Sequence, residues 1–94
     1  MESPIKTKKY RVIIGPKHVD FGAKNYSDYT IHHDSDRMKR YLMRHRSRED
    51  WSRKGLYTAG FWSRWLLWSK PSLDGAKKLM SKKFHINFVR LGGP

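Results

Sequence analysis

Arg37, Arg40, Arg44 and Arg48 recur at intervals of three and four residues, the spacing that gathers side chains along one side of an α-helix. A guanidinium stays charged and presents a planar fork of donors that meets a phosphate or carboxylate in two parallel hydrogen bonds, which a lysine does not reproduce. A row of such groups can follow a polyanion. Helices that need only solubility usually alternate the sign of their charges. Here acids arrive only at Glu49 and Asp50, where they could pair with the neighbouring arginines. Arg53, Lys54 and Arg64 extend the set of candidate partner-binding cations.

The second unusual feature is Phe61-Trp62-Ser63-Arg64-Trp65-Leu66-Leu67-Trp68, which holds one charge among large apolar groups. A helix apolar on all sides has to be buried on most of them. A chain this short has a modest core, so Trp62, Trp65 and Trp68 are candidate anchors for another protein. Base stacking, a half-inserted membrane-surface helix and plain core packing are the competing readings.

Other chemistry is sparse. His18, His32, His33, His45 and His85 invite a metal or acid-base reading, with Asp34 beside the His32-His33 pair. Adjacent residues on a strand or turn point apart, and no HExxH or comparable ligand spacing occurs. A magnesium-dependent nuclease needs clustered carboxylates, and the acids are few and scattered. There is no glycine-rich phosphate loop and no G-x-S-x-G elbow. The expectation is a protein with no catalytic residue, no metal and no cofactor, and with no small-molecule substrate.

These side chains need elements to position them. Thr7 to Ile14 is rich in Tyr, Val and Ile, Gly15-Pro16 interrupts, and Lys17 to Ala23 alternates through Val19 and Phe21, which predicts a β-hairpin. Asp34 or Ser35 can cap a helix from near Asp36 to about Arg48. At about 100° per residue its buried face is Met38, Tyr41, Leu42 and His45, with the arginines roughly a quarter-turn away. Glu49 to Thr58 reads as a connection, and Ala59 to Trp68 as a short apolar helix that Pro71 should stop. Ser72 can cap a last helix to about Lys83, with Asp74 in its first turn, Lys77, Lys78, Lys82 and Lys83 towards the negative end of its dipole, and Leu73, Ala76, Leu79 and Met80 facing inward. Phe84 to Leu91 alternates through Phe84, Ile86 and Phe88 and predicts a third strand. The expected fold is α+β: a small three-stranded antiparallel sheet, made of the N-terminal hairpin plus a C-terminal strand, packed with about three helices in the order β-β-α-α-α-β.

At 94 residues the chain has room for one domain, 1–94, with residues 1–6 and 92–94 expected as flexible arms. Lys and Arg number 21 against 8 Asp and Glu, a formal charge of +13. Self-repulsion on that scale disfavours a compact free monomer, and an anionic partner relieves it. The absence of cysteine excludes disulfides and thiolate zinc sites. No apolar run reaches signal-peptide or bilayer-spanning length, which predicts a soluble intracellular protein.

The segments FGAKNYSDYTIHHDSDRMKRYLMRHRSREDW, Phe21 to Trp51, and TAGFWSRWLLWSKPSL, Thr58 to Leu73, resemble a family of small basic uncharacterised proteins of nucleocytoplasmic large DNA viruses, among them iridoviruses, marseilleviruses and relatives of algal viruses. The likeness covers about half the chain and centres on GFWSRWLLW with its following Lys-Pro. It implies a viral origin and transfers no catalytic residue. On that footing the expected function is a non-enzymatic structural component of a large DNA virus particle. It would be a minor capsid or virion protein that bridges capsid or other virion neighbours with acidic surfaces through the arginine stripe and aromatic anchors. The alternative is a nucleic-acid-binding protein that contacts viral DNA phosphates without sequence specificity. Either places the protein in the virion, and in host cytoplasm or nucleus during assembly. The tryptophan block favours the first, because charge attraction to DNA gives it no special task.

Overall fold

The computed structural model describes residues 2–89. Strands β1 (Lys8–Ile14) and β2 (Lys17–Ala23) pair antiparallel, with Tyr10 opposite Phe21, Val12 opposite Val19 and Ile14 opposite Lys17. That register leaves Gly15-Pro16 as the whole loop. Proline holds φ negative, so the positive φ that a tight hairpin needs falls on Gly15, at 59°. Period-two alternation turns Tyr10, Val12, Val19 and Phe21 towards the helices.

Arg11 and Asp20 lie opposite each other on the other face. The guanidinium grips both carboxylate oxygens at 2.9 and 3.0 Å, and Ser3 Oγ donates to Oδ1 at 2.6 Å. Arg11 foremost, and then Ser3, hold the Asp20 pKa down at about 2. A depressed carboxyl pKa contributes stability above the ordinary value of about 4 and loses it as pH falls through that range towards the folded-state value. Thermal melting followed from pH 5 down to about pH 2 should therefore fall more steeply for the wild type than for Asp20→Asn, the two curves converging at the acid end.

The residues before β1, expected as part of a flexible arm, make specific contacts. Glu2 forms an isolated antiparallel bridge with Tyr10, and the buried Ser3 donates its backbone N–H to Lys9 O. The other expected arm, residues 92–94, lies outside the described residues.

Four helices follow: α1 (Tyr29–His32), α2 (Ser35–His45), α3 (Ala59–Trp62) and α4 (Leu73–Phe84). Each has a side-chain cap at its start, from Asp28, Asp34, Thr58 and Ser72, where first-turn amides lack intrahelical acceptors. A 3₁₀ turn, Arg53–Gly55, precedes α3. Beyond Trp62 the chain widens into one π-helical stretch, Ser63–Leu67, closed by Trp68 N–H to Ser63 O at 3.1 Å. The core lies between the hairpin and α3, the π stretch and α4, built from Phe21, Phe61, Trp62, Leu66, Leu67, Ala76, Met80 and Phe84. Gly22 has φ 79°, and a Cβ there would stand 2.8 Å from Leu67 Cδ1, so this position brings the hairpin directly onto the π stretch.

The expected third strand is absent among the described residues: the sheet has two strands and the order is β-β-α-α-α-α. Phe84 belongs to two patterns at once, the alternation Phe84, Ile86, Phe88 and the helical series Leu73, Ala76, Met80, Phe84. Burial decides for the helix, which carries Phe84 into the core as its last residue before His85 ends it with φ 57°. Ile86 and Phe88 then pack on the core as side chains, Phe88 edge-on to Trp62 at 6.2 Å, without joining the sheet. Leu91 lies outside the described residues. The helix α1 was not anticipated; Asp28 makes it, as described below. Among the described residues no helix is long and apolar enough to cross a membrane.

Candidate anion-binding surface

Helix α2 positions the arginines. Its inner face is the buried Tyr41 with the half-buried Met38, Leu42 and His45, and Arg37, Arg40 and Arg44 are exposed. The helix ends at His45, three residues short of expectation, so Arg48 sits in the turn that follows and the stripe of four becomes three plus one. Tertiary contacts take the chain out of the helix here. Glu49 turns inward to His45 Nδ1 at 3.1 Å and accepts from Trp51 Nε1 at 2.8 Å. Its carboxylate lies so close over α3 that a Cβ on Gly60 would stand 2.8 Å from Glu49 Cδ. Asp50 instead accepts from Ser52 N and Oγ. Neither acid pairs with an arginine among the described residues. Among the described residues Arg37, Arg40, Arg44, Arg46 and Arg48 have no carboxylate within 4.0 Å.

The tryptophans are placed differently from outward anchors. Trp62 is 2% exposed and donates Nε1–H to Leu56 O at 2.7 Å. Trp65 is half-buried, edge-on to Phe84 at 5.2 Å, and donates to Trp51 O at 2.8 Å. Trp68 lies flat on Tyr41, ring centres 4.3 Å apart and planes 2° apart, and Tyr41 stacks in turn on His45 at 4.2 Å. This three-ring stack is what docks α2 onto the π stretch. A wide core had to be filled by few residues, and the indoles supply both volume and a donor for an otherwise unpaired carbonyl.

Arg64 is also committed inward. Its guanidinium lies 4.2 Å from the Trp65 ring centre and 5.4 Å from that of Trp51, and Nη1 donates to Trp68 O at 3.0 Å. Burial pulls its pKa down from the ordinary arginine value, and burial pushes the Tyr41 phenol up. Arg53 reaches across to the carbonyl of Phe84, at the end of α4, while Lys54 is exposed in the 3₁₀ turn. Of the residues read from sequence as partner-binding, the fold leaves Arg37, Arg40, Arg44, Arg48 and Lys54 outward, ties Arg53 to the Phe84 carbonyl, and uses Trp62, Trp65, Trp68 and Arg64 to build the domain. The histidines stay dispersed: His32 Nδ1 accepts from Asp34 N at 2.9 Å, and no group of three potential metal ligands forms among the described residues.

Between the open end of the hairpin and α2 lies a cleft of about 460 Å³, bordered by Lys8, Tyr26, Arg37 and Arg44 with Asp28 and Glu49 at its base. A larger groove of about 840 Å³ runs along β1 beneath Ile86 and Phe88, with an apolar floor of Val12, Trp62 and Leu66. Sequence reasoning missed Lys8 and Tyr26, because only the folded hairpin brings them opposite α2. The sole signal was compositional, a lysine-rich start to β1 and an aromatic in a turn.

The fold and this surface define a small basic α+β domain with a cationic cleft. Over residues 1–45 the chain is similar to a family of unknown function (DUF5754). That stretch runs through the hairpin, α1 and α2, and stops before the tryptophan block. No curated protein and no solved structure matches the chain.

Proposed function

We propose that this chain is a non-enzymatic binding protein that holds the nucleic acid of a large DNA virus through its phosphates, the viral setting coming from the resemblance over Phe21 to Trp51 and Thr58 to Leu73. The observation that carries this is the contrast on α2 and beyond it: exposed guanidiniums without carboxylate partners among the described residues, beside tryptophans turned into the core. The aromatic anchors that favoured protein bridging are largely consumed by packing, whereas the phosphate-binding forks remain free. Phosphate contacts position a protein on nucleic acid without reading sequence.

Counterion release provides the test. If about four phosphates are engaged, log affinity for a short DNA should fall by roughly three to four units per log unit of salt between about 50 and 200 mM. No affinity at the low-salt end, or affinity independent of salt, would remove this reading.

Bridging between acidic virion proteins is supported by one separate feature, the exposed apolar side chains Ile31 on α1 and Met43 on α2, 58% and 74% exposed. Mass spectrometry of purified, nuclease-treated particles tests it. Absence of the protein from such particles would remove bridging.

A further inference from the structure

We infer that the cleft between the hairpin and α2 is a binding site for single-stranded nucleic acid, with Arg37, Arg44 and Lys8 on its phosphates and Tyr26 as a platform for a base. This rests on the phosphate-binding reading above and deepens it by naming the site and the form of the strand.

The charge of the cleft comes first. Two acids lie at its base, and both are answered within the fold. Asp28 takes an ion pair from Lys9 Nζ and hydrogen bonds from Thr30 N and Oγ1. Glu49 takes His45 Nδ1 and Trp51 Nε1. Lys8, Arg37 and Arg44 at the rim have no carboxylate within 4.0 Å among the described residues. The cleft is therefore cationic in spite of its acids, and its cations come from two separate elements, as walls rather than as a flat stripe.

The arginines divide accordingly. Arg37 and Arg44 border the cleft, whereas Arg40 and Arg48 do not. Helix geometry explains this: positions 37 and 44 are two turns apart on nearly the same line, and position 40 falls further round, away from the hairpin. Tyr26, in the turn after β2, also lines the cleft and is 74% exposed. An exposed aromatic ring beside backbone-tracking cations is the combination by which proteins hold single strands. A cleft of about 460 Å³ is in the range of small-ligand sites. It can admit one nucleotide of a flexible strand, whereas duplex bases stay stacked and present only groove edges and outer phosphates.

The test is fluorescence anisotropy of the whole chain with labelled oligonucleotides of about twelve residues at about 50 mM salt, as oligo-dT, oligo-rU and a DNA duplex. Arg37→Gln/Arg44→Gln should weaken single-strand binding at least about tenfold, and Arg40→Gln/Arg48→Gln, with the same loss of charge, about threefold or less. Tyr26→Ala should weaken single-strand binding about fivefold and leave duplex binding unchanged. The relative affinity of dT and rU identifies which kind of strand the site prefers. As an independent measurement on the unaltered chain, an iodouracil-bearing strand should photo-crosslink to Tyr26. Equal losses in the two double variants, with no effect of Tyr26→Ala and no crosslink at Tyr26, would overturn the cleft as the site while leaving the phosphate reading in place. Absence of binding to every oligonucleotide would overturn both.

Discussion

Trp62→Ala is expected to cost about 3–5 kcal/mol of folding stability, enough to leave much of the chain unfolded at room temperature. The indole is at the meeting point of the hairpin, α3 and the C-terminal segment, with ring centres of Phe21 at 6.1 Å, Phe61 at 5.4 Å and Phe88 at 6.2 Å. Truncation removes those contacts, opens a cavity that a close-packed interior fills only in part, and leaves the Leu56 carbonyl without the Trp62 donor. The reserve against which this is set is small, because a 94-residue chain has a modest core and carries a charge of +13. Trp62→Phe should recover roughly half of the loss, restoring most of the volume but not the hydrogen bond. Urea unfolding followed by far-ultraviolet circular dichroism reads both. A Trp62→Ala protein with a wild-type midpoint would show that the ring is not part of the core, and would return it to the role of an anchor for a partner.

That experiment bears on the point at which sequence and structure part company. The hairpin was legible because period-two alternation flanks Gly15-Pro16, and the beginnings of α2 and α4 because Asp34 and Ser72 immediately precede helical stripes. Two ambiguities arose because one residue type served two patterns. Phe84 fits both an alternating strand and the inner stripe of α4, and only the place of the core chooses between them. The tryptophans fit both an outward anchor and an inward filler, and the choice depends on how much volume the remaining chain leaves empty. For the candidate site, the arginines on α2 were visible from their spacing. The cleft was not, since Lys8 and Tyr26 come from the hairpin and the turn after it. The inward turn of Glu49, which shortens the helix and separates Arg48 from the others, depends on Gly60 and Trp51, contacts that local spacing does not contain.

Asp28 provides the second large effect, and it joins stability to the proposed site. Its carboxylate is 2% exposed, pairs with a Lys9 ammonium that is itself largely buried, and caps α1 through Thr30 N and Oγ1. Removing one member of a buried pair leaves the other charge desolvated without compensation, a loss of about 3–5 kcal/mol, and losing the cap adds about 1 kcal/mol. Asp28→Ala should therefore destabilise the fold more than Lys9→Met, because after Lys9→Met the carboxylate still keeps two donors from Thr30. In Lys9→Met/Asp28→Ala the buried charges are gone together, so the double variant should be less destabilised than the sum of the single ones. Denaturant unfolding of the four proteins closes this cycle, and additive losses would mean that the pair is solvated rather than buried. The same cycle predicts a difference in binding. Lys9→Met leaves the Asp28 charge without its counter-ion at the base of the cleft and should weaken affinity for an oligonucleotide, whereas the double variant, with both charges removed, should regain most of it. Protein that is folded by circular dichroism in each case makes the affinities comparable, and that recovery distinguishes a cleft whose acid must be neutralised from a surface that attracts by net charge alone.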